Sequence, residues 1–190
     1  MKRLAPLAVL MLVVGCRHSQ SDAVVSGELF TGPYISVKAP DSDDWKLNGR
    51  TDTAITFVKG KVGDTFVAGV LMSRQRLTDT PAEFEALVRD GAARDTDPNY
   101  PDRYELLEQS VAYSSERPYP CVRYRAVSMD KRAKGTKEAQ FLELDGIYCR
   151  HPQDPAAVAA IMYTHRGLTR HPKLRGEAED FIRNAHLVSK

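Results

Sequence analysis

Histidine is the residue type in this sequence that most directly suggests metal binding. Five are present, and His151, His165 and His171 lie within about twenty residues of one another. Segments 141–149 and 157–165 have the pattern of an antiparallel hairpin, which would separate His151 at the turn from His165 by about 30 Å. One metal ion cannot bridge that distance, so His165 with His171 is the only pair left. We predict no metal site and no cofactor.

Two carboxylate patterns suggest calcium binding or hydrolysis. Residues 95–99 begin like a calcium loop, but Tyr100 stands where glycine is needed and Leu106 where a bidentate glutamate is needed. Glu143 and Asp145 alternate along one predicted strand, and we expect them on its wet side instead of in a glycosidase dyad. The sequence contains neither a nucleophile elbow nor a His-Glu-x-x-His motif. We predict that the chain is not an enzyme; a histidine-based hydrolase is the alternative.

A basic cluster is the other chemically distinctive feature. Four cations fall within seven residues: Lys131, Arg132, Lys134 and Lys137. One interpretation is a solvated hairpin tip. The other is a docking finger for an acidic partner or for anionic lipid headgroups. Arg123 and Arg125 alternate on the adjoining strand, and we expect them to extend this positive strip.

The amino terminus has the three zones of a bacterial export signal. The pair Lys2-Arg3 precedes an apolar run over residues 4–14, which is too short to span a bilayer stably. Val13-Val14-Gly15-Cys16 resembles the lipobox of bacterial lipoproteins, although that family usually has leucine at the first position. The resemblance implies removal of residues 1–15 and acylation of Cys16, with palmitate among the acyl chains. An ordinary signal cleaved later is the alternative.

Removal of the signal changes the charge balance. The whole chain has 27 Lys and Arg against 25 Asp and Glu, and the loss of Lys2 and Arg3 leaves 25 of each. A neutral chain without a concentrated basic surface does not suit nucleic acid, so we predict no such partner. We expect residues 16–29 to form a flexible tether and residues 30–190 a single globular domain.

Two cysteines remain once Cys16 is assigned to lipid. Exported proteins meet an oxidising environment, in which Cys121 and Cys149 favour a disulfide. Their midpoint is Gly135, at the centre of the basic loop, so symmetric pairing of the flanking strands would place the cysteines face to face. Such a bridge would stabilise by roughly 3–4 kcal/mol. Two reduced core cysteines are the alternative.

The elements that must position these residues are mostly strands. Residues 34–37 suggest a first strand, and residues 54–58 and 65–73 suggest a hairpin joined by a loop over residues 59–64. A meander follows over residues 104–113, 121–129, 141–149 and 157–165. Consecutive strands of this kind predict an antiparallel sheet.

Two helices complete the prediction. Thr80 and Glu83 form a capping box around Pro81, and the helix should end near Gly91. A second helix is predicted over residues 174–186. The fold class is therefore α+β, an antiparallel meander with two main helices packed on the sheet.

The order of elements resembles the PsbP-like fold, named for an extrinsic subunit of the plant oxygen-evolving complex. The likeness rests on an early strand followed by Pro40 and Trp45, a hairpin, a helix beginning at Thr80, a meander and a terminal helix. It implies a sandwich of sheet and helices with a binding role and no chemistry. A cystatin-like or other α+β sheet is the alternative.

These observations predict a non-enzymatic, membrane-anchored envelope lipoprotein that binds another envelope protein. Two further hypotheses stay open: an immunity lipoprotein that neutralises a periplasmic toxin, and a carrier or sensor of a small ligand. In enterobacteria an aspartate after the lipidated cysteine favours inner-membrane retention. Because Arg17 stands there, the resemblance implies the outer membrane, facing the periplasm.

Overall fold

A seven-stranded antiparallel sheet forms the centre of the computed structural model, which describes residues 23–94 and 100–188. The elements are, in chain order, β1 (Leu29–Thr31), β2 (Ile35–Lys38), β3 (Lys46–Arg50), β4 (Ala54–Lys61), β5 (Asp64–Arg74), α1 (Pro81–Arg94), β6 (Tyr104–Ser114), β7 (Cys121–Asp130), β8 (Gln140–His151), β9 (Asp154–Gly167), α2 (Leu174–Arg183) and β10 (Ala185–Leu187). The strand order in the sheet is β3-β4-β5-β9-β8-β7-β6. None of the helices in the described ranges is long and apolar enough to cross a bilayer.

The two faces of this sheet have different covers. One face packs against α2 and a small antiparallel sheet in the order β1-β2-β10, with Trp45, Tyr163 and Phe181 in the core between them. The other face packs against α1, mainly through Phe84 and Val88. Because both faces of the sheet are covered by other elements, most positions of β8 are buried. In a strand with one face in solvent, buried and exposed positions would alternate.

The predicted α+β class, with an antiparallel sheet and two helices, is confirmed. The sequence does not reveal β1 and β10, because strands of three residues are too short to establish an alternation. It does not reveal β3 because Lys46–Arg50 contains few residues that favour strands. The second helix is shorter than predicted. It ends at Arg183, and Ala185–Leu187 pairs with β2 as a strand.

A two-residue turn joins β4 to β5, where the sequence suggests a longer loop over residues 59–64. Lys61 already pairs with Asp64 across this turn. Gly60 has a φ of 96°, and a Cβ atom at this position would lie 2.1 Å from the Asp64 carbonyl oxygen. Only glycine fits there, so the strands continue to a narrow tip at Val62-Gly63.

Helix α1 begins with the predicted capping box. The Thr80 hydroxyl accepts a hydrogen bond from the Glu83 backbone N–H at 3.2 Å, and the Glu83 carboxylate accepts one from the Thr80 N–H at 3.4 Å. The predicted end at Gly91 is wrong, because the helix continues to Arg94. Gly91 is buried within the helix and lacks the positive φ of a helix-terminating glycine.

We expect Thr80→Ala to lower the free energy of unfolding by about 1 kcal/mol, because one backbone N–H at the start of α1 loses its acceptor. Urea unfolding would measure the change. Ser115→Ala is the matched control, since Ser115 is exposed and lies outside any helix. Equal urea midpoints for the two variants would show that the cap contributes nothing.

Strands β7 and β8 pair symmetrically about Gly135, as the cysteine spacing predicts. Cys121 lies directly opposite Cys149, and at the other end of the ladder Asp130 lies opposite Gln140. The two cysteines form a disulfide with their Cα atoms 4.1 Å apart. Both are fully buried. Neither sulfur is therefore available as a nucleophile.

Candidate functional site

Glu143 and Asp145 are buried, which contradicts their predicted position on a wet face. They are only 4% and 3% exposed, because α2 and the segment that leads into it cover this side of β8. Asp145 accepts hydrogen bonds from Arg123 at 3.0 Å and from Arg125 at 2.8 Å. Burial raises the pKa of Asp145, although the two guanidinium groups act in the opposite direction.

The structure turns Arg123 and Arg125 toward α2. Residues two apart on a strand share a face, and the face of β7 that carries these two arginines is directed toward α2. Arg125 lies 3.4 Å from Glu179 of α2, and Arg123 lies 3.9 Å from Glu116 in the connection before β7. The expected continuous strip with the basic loop is wrong, since acidic partners hold both arginines on a different part of the surface.

These two arginines line a groove of about 620 Å³ between β7, the β6–β7 connection and α2. Five arginines, one histidine and two glutamates form its walls: Arg117, Arg123, Arg125, Arg175, Arg183, His186, Glu116 and Glu179. Guanidinium groups bind carboxylates and phosphates through paired, planar hydrogen bonds. With Asp145 and Asp180, which bind arginines of the groove, the five arginines exceed the four carboxylates by one, so the groove suits an anionic group or an acidic peptide.

Arg117 carries the least compensated charge in this groove. Its guanidinium donates to the backbone carbonyl of Ile182 and lies 3.3 Å from His186 Nδ1. Burial lowers the pKa of His186, and the positive charge of Arg117 lowers it further, so the neutral ring accepts this hydrogen bond. Among the residues that the structure describes, no acidic side chain forms an ion pair with Arg117.

The helix side of the groove was missed by reasoning from sequence. Arg175 bonds Glu179 at 3.1 Å and Arg183 bonds Asp180 at 3.0 Å, and both arginines are well exposed. A signal was present, since Arg175, Glu179 and Arg183 recur every four residues and must share one face of α2. That spacing could not show which strand the face would meet.

The basic loop is partly neutralised. Lys131 pairs with Glu105 at 2.9 Å, and Arg132 lies 3.9 Å from Asp102 and stacks over the Tyr100 ring at 4.6 Å. Two further lysines, Lys134 and Lys137, are exposed and form no ion pair with an acid in the described parts of the chain. The loop therefore has two cations bound to the protein and two directed to solvent.

His165 and His171 come together, with ring centroids 5.4 Å apart. Each is already occupied: His165 lies 3.1 Å from Glu143 and 2.9 Å from Asp64, while His171 lies 3.2 Å from Glu177. Over residues 23–94 and 100–188, no group of three or more ligand side chains could hold a metal ion. His151 lies at the opposite end of β8 from this cluster, as the hairpin prediction requires.

The sequence also contains one spacing known from serine hydrolases, Ser-x-x-Lys at Ser128 to Lys131. Its serine lies on β7, and its lysine begins the following loop. Lys131 is paired with Glu105 at 2.9 Å. On an extended strand, side chains three residues apart point to opposite faces, so the lysine is poorly placed to activate the serine.

The lipobox, Cys16 and residues 95–99 lie outside the described residues. The acylation of Cys16 and the cleavage before it therefore stay predictions from sequence. The described chain begins at Ala23, which forms an antiparallel bridge with Lys46 at the start of β3. Part of the predicted tether is thus attached to the edge of the sheet.

Comparison with known proteins identifies the fold and no family. No family model and no curated protein sequence matches the chain. It is similar to LpqN of Mycobacterium tuberculosis, a protein involved in cell envelope biogenesis, with a TM-score of 0.50 and 13% identity over 91% of this chain and 93% of that one. It is also similar to Mog1p, a Ran-binding protein of Saccharomyces cerevisiae (TM-score 0.43, 12% identity, 85% and 96% covered), and to a Mog1 mutant (TM-score 0.44, 12% identity, 90% and 98% covered). At 13% identity, the likeness to LpqN shows a shared fold.

Proposed function

We propose that this protein is a non-enzymatic envelope lipoprotein, anchored through Cys16, that holds an acidic segment of another envelope protein in its arginine groove. The proposal rests on the composition of this groove. It gathers five guanidinium groups around about 620 Å³ of open space. Arg117 has no acidic partner among the described residues. A carboxylate supplied by a partner protein would complete the paired hydrogen bonds that arginine favours.

Three independent features support an envelope setting. The lipobox resemblance predicts export and acylation, and Arg17 predicts the outer membrane, facing the periplasm. A buried disulfide such as Cys121–Cys149 persists in oxidising compartments. The structural neighbour LpqN is itself involved in cell envelope biogenesis. The PsbP-like resemblance likewise favours a binding role without chemistry.

A carrier of a small ligand has less support. The cleft between α2 and β2, lined by Tyr163 and Glu177 among others, has a volume of about 50 Å³. Pockets for small organic ligands usually measure roughly 300–1,000 Å³ and are largely enclosed. The groove is large enough but open, which suits a peptide segment better than a small molecule.

The double charge reversal Arg175→Glu with Arg183→Glu should weaken partner binding by at least about tenfold, because it removes two attractive charges and adds two repulsive ones. Both side chains are over two thirds exposed, at 70% and 73%, so the fold should tolerate the change. The measurement is quantitative capture by the acylated protein from detergent extracts of envelopes. Binding of a glutamate-rich fluorescent peptide gives a second, defined readout.

The matched control is Lys134→Glu with Lys137→Glu, which changes the net charge equally on the loop and should leave capture intact. Recovery of the same partners by the groove variant, or of none by the unaltered protein, would contradict the proposal. A secreted toxin as the groove-dependent partner would identify the immunity version of the hypothesis.

A further inference from the structure

Three connections lie side by side at one end of the main sheet. They are the β4–β5 turn, the β7–β8 loop and the residues that follow β9. Strand register shows that they are adjacent, because Gly167 at the end of β9 pairs with Asp64 on one side and with Phe141 on the other. The structure thus joins segments far apart in sequence into one surface, called here the tip surface.

The tip surface exposes large apolar side chains. Val62 is 70% exposed and Leu168 is 53% exposed. Tyr100 precedes β6 and is 46% exposed, and its ring lies under the Arg132 guanidinium beside the β7–β8 loop. Val62 also touches the β7–β8 loop, since a Cβ atom on Gly135 would lie 2.7 Å from its Cγ1. Single exposed apolar residues are ordinary on protein surfaces. Val62 and Leu168 are on adjacent connections, so they expose apolar surface at the same end of the sheet.

Cations on the same connections outnumber the exposed carboxylates there, which are those of Asp64 and Glu138. Three exposed lysines form no ion pair with an acidic side chain anywhere in the described ranges: Lys61, Lys134 and Lys137. Two more cations, Lys131 and Arg132, lie beside them, paired with acids of neighbouring segments. Exposed apolar side chains with an excess of lysines beside them match the bilayer interface, where the tips enter the acyl region and the ammonium groups meet phosphates.

We infer that the tip surface is a membrane-docking surface, which rests on a bilayer containing anionic phospholipid. The length of chain before the described residues fits this orientation. Ala23 bridges Lys46, which pairs with Val58, four positions from Val62 and therefore about 13 Å from the tip. The six residues between Cys16 and Ala23 can span up to about 20 Å, so an acylated Cys16 and the tips can reach the same bilayer.

Docking in this way would also orient the arginine groove. Arg117 belongs to the β6–β7 connection, which lies at the opposite end of β7 from the basic loop. With the tips on the membrane, this end of the groove faces the aqueous space, where a partner protein can reach it. The tip surface itself does not depend on the proposed groove function.

The test uses the mature chain from residue 16 with Cys16→Ser, so that no acyl chain contributes to binding. Sedimentation with vesicles of phosphatidylcholine containing about one third phosphatidylglycerol should show binding that falls with added salt and is weak on phosphatidylcholine alone. Val62→Asp with Leu168→Asp should weaken binding at least about tenfold. Leu77→Asp, at the opposite end of the sheet and 62% exposed, is the matched control.

Insertion can be read directly by fluorescence. The only tryptophan, Trp45, is 1% exposed and gives a constant background. Leu168→Trp should shift to shorter wavelength on vesicles and be quenched by brominated lipid, whereas Leu77→Trp should not. Any one of three results would overturn the inference. These are no binding of vesicles by the parent protein, binding by the Val62→Asp with Leu168→Asp variant that equals that of the parent, and no shift in the fluorescence of Leu168→Trp. The groove variant Arg175→Glu with Arg183→Glu should bind vesicles normally, which keeps this test separate from the proposed function.

Discussion

Replacing Glu143 by leucine should lower the free energy of unfolding by about 3–5 kcal/mol. The Glu143 carboxylate accepts hydrogen bonds from His165 Nδ1 at 3.1 Å, from Arg170 Nε at 3.4 Å and from the His171 backbone N–H at 2.6 Å. It therefore ties the segment between β9 and α2 to the sheet. Leucine has a similar volume but leaves the buried His165 ring and the His171 backbone N–H without this acceptor, whereas Arg170 keeps its bonds to Glu108. Unpaired buried polar groups are costly.

Glu143→Gln separates the loss of charge from the loss of hydrogen bonding. Glutamine retains one acceptor oxygen, so the expected loss is about 1–2 kcal/mol, well below that of leucine. Urea unfolding followed by circular dichroism measures both variants. A leucine variant as stable as the parent would show that the network is dispensable and that α2 is held by apolar packing alone.

Reduction of the Cys121–Cys149 disulfide should lower the free energy of unfolding by about 3–4 kcal/mol. The bridge closes a segment with a sequence separation of 28 residues, so the reduced unfolded chain gains considerable conformational freedom. For a protein of this size, a loss of that order should lower Tm by roughly 6–16 °C. Thermal unfolding with and without dithiothreitol measures the effect.

Cys121→Ala with Cys149→Ala distinguishes the cross-link from core packing. Both cysteines are fully buried, so the alanine pair loses sulfur contacts as well as the bridge and should be less stable than the reduced parent. The alanine variant should also be insensitive to dithiothreitol. Identical melting of the oxidised and reduced parent would mean that the bridge adds no stability.

Local spacing determines several features of this protein by itself. Thr80 and Glu83 are three residues apart and cap α1, because a capping box needs only contacts within one turn of helix. Cys121 and Cys149 are equidistant from Gly135, and a hairpin that pivots there must place them opposite each other. Such relations depend on the chain's own geometry and on one strand pairing, so they can be predicted without knowledge of the remaining packing.

Only the tertiary structure decided the surroundings of Asp145 and the existence of the groove. Alternation along β8 shows that Glu143 and Asp145 share a face, but it does not show that α2 covers this face and buries them. The groove joins Arg117, Arg125 and Arg183 from three separate segments. The burial of apolar area over the whole chain determines which helix and strand surfaces pack together. A local pattern of charges contains no information about this packing.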